Sequence, residues 1–282
     1  MKILSLNIRR LGLDDNKKFR WFKKVCLQQK PNIIALQETK AEKISEQWIE
    51  KIWGSCDYKY AFKKSKGNSG GILTVWDPNI FVTNRVVERD SFIAVKGHWK
   101  DVGTELILVN TYGPQNDTKK KQMWSDLSDI LRYPDAIWAI FGDFNEVRFN
   151  SERKNTEFYE RRAKVFNDFI KDNSLLDLLL GGRTYTRISD NGRKFSKLDH
   201  FLVSENFLQQ WTNANVLVLD KKHTDHCPLI LKNGDIDFGP KPVKVFDEWL
   251  NHKESHNVIN SAWKVHVNSN RPDVIFREKL KK

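Results

Sequence analysis

The hydrophobic residues of the chain fall into short runs, most of which end abruptly on a carboxylate, an amide or an imidazole. Lys2 to Ile8 reads as a strand ending in polar residues, with Asn7 at its tip. Asp14 to Asn16 offers a helix N-cap, and Phe19, Phe22, Val25 and Cys26 then recur at helical spacing until Pro31 resets the chain. Ile33 to Leu36 is a continuous apolar run of the kind covered on both faces of a sheet, and it stops at Gln37-Glu38. A Gly67-Asn68-Ser69-Gly70-Gly71 turn signal opens a series of strand-like runs at Gly70 to Trp76, Phe81 to Val87, Phe92 to Trp99 and Glu105 to Thr111, in hairpin-like succession. The spacing predicts a helix from about Asp117 to Leu131 and a buried strand at Ile137 to Phe141, closed by Gly142-Asp143-Phe144-Asn145. A further helix is predicted over Arg161 to Asp172, with Val165, Phe166, Phe169 and Ile170 on one face. Shorter strands are expected at Tyr185, at Leu198 to Val203 and at Pro228 to Leu231. Strand clusters with interspersed helices imply two packed sheets with helices outside, rather than a strictly alternating parallel sheet.

The pattern changes near Asn233 to Pro242, where Gly234, Gly239, Pro240 and Pro242 cluster, so residues 1–232 form the expected main domain and 233–282 a linker and helical tail. Val245, Phe246, Trp249 and Leu250, then Val258, Ile259, Ala262 and Trp263, suit an amphipathic helix too short to bury a core of its own. With 39% hydrophobic and 30% charged residues the chain lies away from the disordered classes. No apolar run approaches the roughly 18 to 20 residues that cross a bilayer. The apolar start at Met1 is broken by Asn7, Arg9 and Arg10 before a signal peptide could form. Cys26, Cys56 and Cys227 are far apart and contain no Cys-x-x-Cys pair, which suits a reducing compartment; a nuclear or cytoplasmic, non-secreted protein is expected. Lys plus Arg number 48 against 36 for Asp plus Glu, and the net charge of +12 favours a polyanionic partner.

The polar strand ends are Asn7, Glu38, Asn110 to Tyr112, Asp143 with Asn145, Asp199, and Asp225-His226. Each has a plain explanation alone: Gly142 to Asn145 is good turn chemistry, Glu38 a solvated strand end, His226 a surface imidazole. His223 and His226 could suggest two zinc ligands, but an extended segment aims them awkwardly and no third soft ligand is near. If the strands lie together, however, the whole set converges on one rim. Asn7, Leu36-Gln37-Glu38-Thr39, Asn110-Thr111-Tyr112-Gly113-Pro114, Gly142-Asp143-Phe144-Asn145, Ser196-Lys197-Leu198-Asp199 and Thr224-Asp225-His226-Cys227-Pro228, in this order, resemble the endonuclease/exonuclease/phosphatase superfamily over about Met1 to Leu231. That resemblance implies a DNase I-like four-layer α/β sandwich, two mixed sheets flanked by helices. Leu36 to Lys40, Gly67 to Gly71, Leu198 to Ser204 and Asp225 to Pro228 are similar to the endonuclease domain of plant LINE-type (non-LTR) retrotransposons. Phe238 to Pro242 followed by Trp249-Leu250 looks like the segment joining that domain to a reverse transcriptase, so a longer open reading frame is expected.

Phosphodiester hydrolysis needs a hard cation, a water held in line, and donors for charge building on the phosphoryl oxygens. The resemblance makes Glu38 the main ligand of Mg2+, with Mn2+ able to substitute, assisted by Asn7 and Asp225. It gives Asp143 the attacking water to orient or deprotonate, Asn145 the phosphate or the same water, and His226 the scissile phosphate or a proton transfer. Asp199 would fix the tautomer of His226 and favour its charged form, while Tyr112 and Thr186 donate to phosphate oxygens. Which group is the base stays open. Most lysine runs, including Lys119 to Lys121, are explained as solvated faces; Lys63, Lys64, Lys221, Lys222 and Arg187 are the expected nucleic-acid contacts. Three residues depart from the family's habits: Arg187 in place of an aromatic, His200 in place of Arg, and Arg10 in place of Gly. The leading expectation is an Mg2+-dependent endonuclease that nicks double-stranded DNA, with no membrane partner and a reverse transcriptase domain as its companion. A sibling phosphoesterase acting on abasic DNA or inositol phosphates, and a catalytically silent nucleic-acid-binding remnant, are the alternatives.

Overall fold

The structure, a computed structural model, describes residues 1–11, 17–67, 69–100, 102–132, 136–234, 254–264, 266–268 and 271–279. Successive strand residues face opposite sides of a sheet, and here both sides are covered. In β1 (Lys2–Asn7), Ile3 packs between the two sheets whereas Leu4 and Leu6 pack under helices. That strand lies inside a seven-stranded sheet with β11 (Leu180–Gly181), β15 (Ala214–Val218) and β16 (Leu229–Asn233) on one side. On its other side follow β2 (Ile33–Gln37), β4 (Ser69–Trp76) and β3 (Lys59–Lys66). The second sheet runs β10 (Leu175–Asp177), β14 (Asp199–Ser204), β8 (Ile137–Asp143), β7 (Glu105–Tyr112), β6 (Phe92–Trp99), β5 (Phe81–Glu88). The β1/β2 and β7/β8 pairs are parallel, and most other neighbours are antiparallel.

Helices α1 (Lys17–Gln29) and α2 (Glu46–Trp53) cover the outer face of the first sheet through Phe19, Phe22, Trp48 and Ile49. Helices α3 (Asp117–Ile130) and α4 (Glu160–Asp172) cover the second through Trp124, Leu127, Phe166 and Phe169. The result is the four-layer α/β sandwich, DNase I-like, with the largest apolar cluster between the sheets. A short α5 (Glu205–Gln210) adds Phe207 to that cluster. A small third sheet joins β12 (Arg187–Ile188), β13 (Phe195–Ser196) and β9 (Arg153–Lys154).

Along the inward faces the character switches at one end. Ile3 and Ser5 lead to Asn7; Ile33 and Ala35 to Gln37; Leu106 and Leu108 to Asn110 and Tyr112; Ala139 and Phe141 to Asp143; and, read backwards, Val203 and Phe201 to Asp199. The register sets Asn7 beside Gln37, and Tyr112 beside Asp143 beside Asp199. Beneath this rim a buried amide clamp ties the sheets. Gln37 Nε2 donates to Asn110 Oδ1 at 2.7 Å, and Asn110 Nδ2 donates to the Leu73 carbonyl at 3.0 Å.

The expected hairpin series is interrupted between Trp76 and Phe81, where the chain passes from the first sheet to the second through a turn anchored by the Phe81 N–H on the Asp77 carbonyl at 2.9 Å. Tyr185 lies outside the strand expected for it, which forms at Arg187–Ile188 instead. Strand β3 escaped the apolar pattern because it is an edge strand with only Ala61 and Ser65 buried among its lysines. The chain divides into units Met1–Asp235 and Ile236–Lys282. In the second, α6 (Ser255–Lys264) and α7 (Pro272–Lys279) meet through Trp263 and Phe276, ring centroids 6.0 Å apart. The N-cap at Asp14 to Asn16, Asn68, and the linker features Gly239, Pro240, Pro242, Val245, Phe246, Trp249 and Leu250 lie outside the described residues. No described helix is long and apolar enough to cross a membrane.

Candidate active site

The backbone turns sharply where the polar strand ends begin. Arg9, Glu38 and Asn145 have φ of 52°, 51° and 49°, a left-handed conformation that costs non-glycine residues free energy unless neighbours hold it. The holding bonds are local. The Arg9 N–H donates to Asn7 Oδ1 at 3.0 Å and the Asn145 N–H to Asp143 Oδ1 at 2.8 Å, two turns in which the functional side chain itself caps the bend. The Glu38 loop is seated on β4 by bonds from the Thr39 and Lys40 N–H groups to the Gly71 and Gly70 carbonyls. A Cβ on Gly71 would come within 2.2 Å of Thr39 Oγ1, so this close approach requires glycine. Gly113 is constrained alike: its N–H reaches the Asp143 carbonyl at 2.6 Å, and a Cβ there would meet the Phe144 carbonyl oxygen at 2.1 Å.

These turns bring the polar groups of both sheets into one hydrogen-bonded chain. Asn7 Nδ2 donates to Glu38 Oε2 at 3.1 Å and to Asp143 Oδ2 at 2.8 Å. His226 Nε2 lies 3.8 Å from the same Asp143 oxygen, and its Nδ1 is 2.8 Å from Asp199 Oδ2. That Asp199 oxygen also accepts from Thr186 Oγ1 at 2.6 Å, and the Tyr112 hydroxyl lies beside the Glu38 carboxylate. Asn145 is turned to the Gly113 carbonyl, 2.7 Å from its Nδ2. Asp225 is held by Arg187 Nε at 3.0 Å, with an Arg9 guanidinium nitrogen 3.6 Å from its Oδ1. Asn7, Asp143, Asp199, Asp225 and His226 are all buried.

Electrostatics follow from this packing. Burial disfavours charge on the His226 imidazole, but Asp199 and Asp143 on either side outweigh it and raise its pKa to about 9, so the ring is a double donor at neutral pH. Burial pushes the Asp143 carboxyl up to about 6, with the His226 charge opposing and Asp199 adding to the rise. Burial, then Glu38 and Asp143, raise the Tyr112 phenol and keep it protonated as a donor. For Asp225 burial is outweighed by His226, Arg187 and Arg9, which hold it below the usual carboxylate range.

Asp143, Asp199 and His226 offer ligand atoms within 4.8 Å of one another and could hold a metal ion. A second donor set fits a hard cation on chemical grounds: the carboxylates of Glu38 and Asp225 and the amide of Asn7 are oxygen-bearing groups. Within it, Asp225 Oδ1 is buried without a hydrogen-bond partner, a lone pair left over for such an ion.

Of the other predicted residues, Lys63 reaches Asp90 at 3.7 Å, Lys64 is exposed, and Lys221 and Lys222 sit on the loop that leads into Thr224-Asp225-His226. Arg187, where an aromatic was expected, spends its guanidinium on Asp225. His200 faces away from the cluster because it follows the inward-facing Asp199; it lies wholly buried between Phe144 and Phe166, with Nδ1 3.1 Å from Asp177 Oδ2. Arg10 adopts φ 108°, where glycine is easier, and its N–H bonds the Glu38 carbonyl at 2.7 Å.

Four contacts went unread in the sequence. Lys40 Nζ pairs with Glu38 Oε1 at 2.8 Å, Arg9 approaches Asp225, and Thr224 Oγ1 ties the His226 loop to the Asn7 carbonyl at 3.0 Å. Lys120, expected with its neighbours on a solvated face, is buried beneath the Asn145 turn. Its signal was available: Lys120, Met123, Trp124 and Leu127 share the i, i+3, i+4, i+7 spacing of a buried helix face.

The fold and site define a phosphoester hydrolase. The Endonuclease/Exonuclease/phosphatase family profile matches residues 4–226, and the chain belongs to that family. Among solved structures it is similar to an AP endonuclease from Leishmania major (TM-score 0.63, 17% identity, covering 82% of this chain and 86% of that one). An AP endonuclease from Archaeoglobus fulgidus matches with TM-score 0.63 and 19% identity over 83% of this chain and 99% of that one. The endonuclease domain of TRAS1, a telomere-specific non-LTR retrotransposon, matches with TM-score 0.57 and 14% identity over 82% and 97%. No curated protein matches the chain in sequence.

Proposed function

We propose that the protein is a divalent-metal-dependent endonuclease that nicks double-stranded DNA, of the kind carried by LINE-type retroelements. The observation that carries the reading is the unbroken series Glu38, Asn7, Asp143, His226, Asp199, Thr186, in which each side chain contacts the next. Glu38, with Asn7 and Asp225, would hold Mg2+ or Mn2+. When bound, the ion supplies charge neutralisation at the phosphate and lowers the pKa of a water. The protein's own groups do the rest. Asp143, ionised above about pH 6, accepts a hydrogen bond from the attacking water and takes its proton. The His226 imidazolium donates to a non-bridging phosphoryl oxygen from Nε2 while Asp199 holds its Nδ1–H. Tyr112 donates to a second oxygen, Asn145 orients the water, and Thr186 fixes Asp199. The net charge of +12 supports a polyanion as substrate, with Lys221, Lys222 and Arg187 along its path.

The test is conversion of supercoiled plasmid to open circles with Mg2+, beside EDTA and beside Glu38→Ala, with abasic duplex and inositol phosphates as competitors. Metal-dependent nicking lost in the variant and little affected by competitors is the expected result. Preferential turnover of either competitor would move the reading to a sibling phosphoesterase, and DNA binding with no turnover would move it to a silent remnant.

A further inference from the structure

A lysine on the apolar face of a helix is costly to bury, and Lys120 is 5% exposed between Trp124 and the loop after β8. Its ammonium is matched by two partners at 2.8 Å, the backbone carbonyl of Asn145 and the carboxylate of Glu146, itself 1% exposed. These partners belong to consecutive residues, two and three positions beyond Asp143. From the same outer side, His200 Nε2 approaches the Glu146 carbonyl at 3.2 Å. From the inner side the Asn145 N–H is tied to Asp143 Oδ1 and its side chain to the Gly113 carbonyl. The left-handed Asn145 is therefore gripped on both sides. Because Oδ1 of Asp143 is occupied by the Asn145 N–H, it is Oδ2 that faces Asn7 and His226.

We infer that Lys120 is a positioning residue for the hydrolytic site: by holding the Asn145 carbonyl it fixes the turn that decides which oxygen of Asp143, and which face of Asn145, is presented to substrate. The inference rests on the phosphodiesterase reading for its catalytic consequence and on geometry alone for the grip itself. Lys120 touches neither substrate nor metal ligand through its own side chain; it acts from the helical layer through the backbone of residue 145.

The Lys120–Glu146 pair also contributes to folding, so Lys120→Met alone would leave the buried Glu146 carboxylate with only Arg153, 4.0 Å away, and lower stability as well as activity. The decisive variant is Lys120→Met with Glu146→Gln, which removes both charges at nearly constant volume. It is expected to regain most of the denaturation midpoint lost in Lys120→Met, the remainder falling to Arg153, which loses its carboxylate, while kcat for plasmid nicking stays roughly 10- to 100-fold low with KM unchanged, as for a reacting group displaced by about an ångström. Hydrogen exchange at the Asn145 amide in the metal-free protein should accelerate about 10-fold in the same variant. Lys121→Met, one residue on and exposed, should change neither reading. A folded double variant with wild-type kcat and wild-type amide exchange would overturn the inference. If the wild-type protein hydrolyses no phosphodiester, the proposed function fails, and amide exchange at Asn145 alone decides whether the grip exists.

Discussion

The second sheet carries a cluster of buried charges on each face, and the two are balanced differently. On the outer face, under α3 and α4, carboxylates are matched by cations: Glu146 by Lys120 and Arg153, Glu152 by Lys197, and Asp177 by Lys197 and Arg148, with His200 Nδ1 3.1 Å from Asp177. Burial of Asp177 is outweighed by His200 and Lys197, which hold it well below the usual carboxylate range. On the inner face Asp143 and Asp199 flank the buried His226, Asn7 links Asp143 to Glu38, and the more exposed side chains of Arg9, Lys40 and Arg187 reach in to Asp225 and Glu38. There burial and a neighbouring carboxylate push Asp143 up rather than down. A cluster matched by well-buried cations stabilises the fold, whereas one whose cations, His226 apart, reach in from more exposed positions can release carboxylate to a metal ion and to a moving proton.

The largest separation expected between the two faces is catalytic. Asp143→Asn or His226→Gln should lower plasmid nicking by roughly 10³-fold or more at little change in fold, read from initial rates and a circular dichroism melt. Next comes stability. Lys197→Met leaves Asp177 and Glu152 without their shared ammonium and should cost about 3 kcal/mol in urea denaturation, while nicking per folded molecule changes less than about threefold.

A third, smaller effect separates the faces by pH in the metal-free protein. His226 is raised from 6.5 to about 9, so its contribution to stability is complete below pH 6.5 and is lost as pH rises through 9. Asp143, raised from 3.8 to about 6, likewise contributes below pH 3.8 and loses that contribution as pH rises through 6. Asp177 has the opposite sign: its contribution is present above 3.8 and disappears as pH falls through its depressed value. Thermal melts should show the advantage of wild type over His226→Gln shrinking by a few degrees between pH 7 and pH 10. The advantage over Asp177→Asn should shrink only in acid. The smallest expected effect is at the rim, where Lys221→Ala with Lys222→Ala should weaken DNA binding about equally for all sequences and reduce the salt dependence by the release of one or two counterions.

The contrast also explains what the sequence made legible. Strands β1, β2, β7 and β8 were readable because both faces are covered, and their polar ends stood out because period-two alternation carries an apolar series directly into Asn7, Asp143 and Asp199. Strand β3 and helix α2 were missed, the first because an edge strand may keep its lysines in solvent. The two-residue strands of the third sheet are too short to leave any pattern. The outer cluster stayed hidden for a different reason. Lys120 sits in a lysine run and His200 beside Asp199, so local composition pointed one way while helix phase and strand parity pointed the other. Arg9 and Thr224 were invisible because their contacts join chain segments more than two hundred residues apart.

The most direct test sets one variant from each face side by side. Initial rates of supercoiled-plasmid nicking with Mg2+ would be measured for wild type, His226→Gln and Lys197→Met at a temperature where all three are folded. The account predicts nicking abolished in His226→Gln and retained within about threefold in Lys197→Met. Retained nicking in His226→Gln, or equal loss in both, would contradict the assignment of hydrolysis to the inner face.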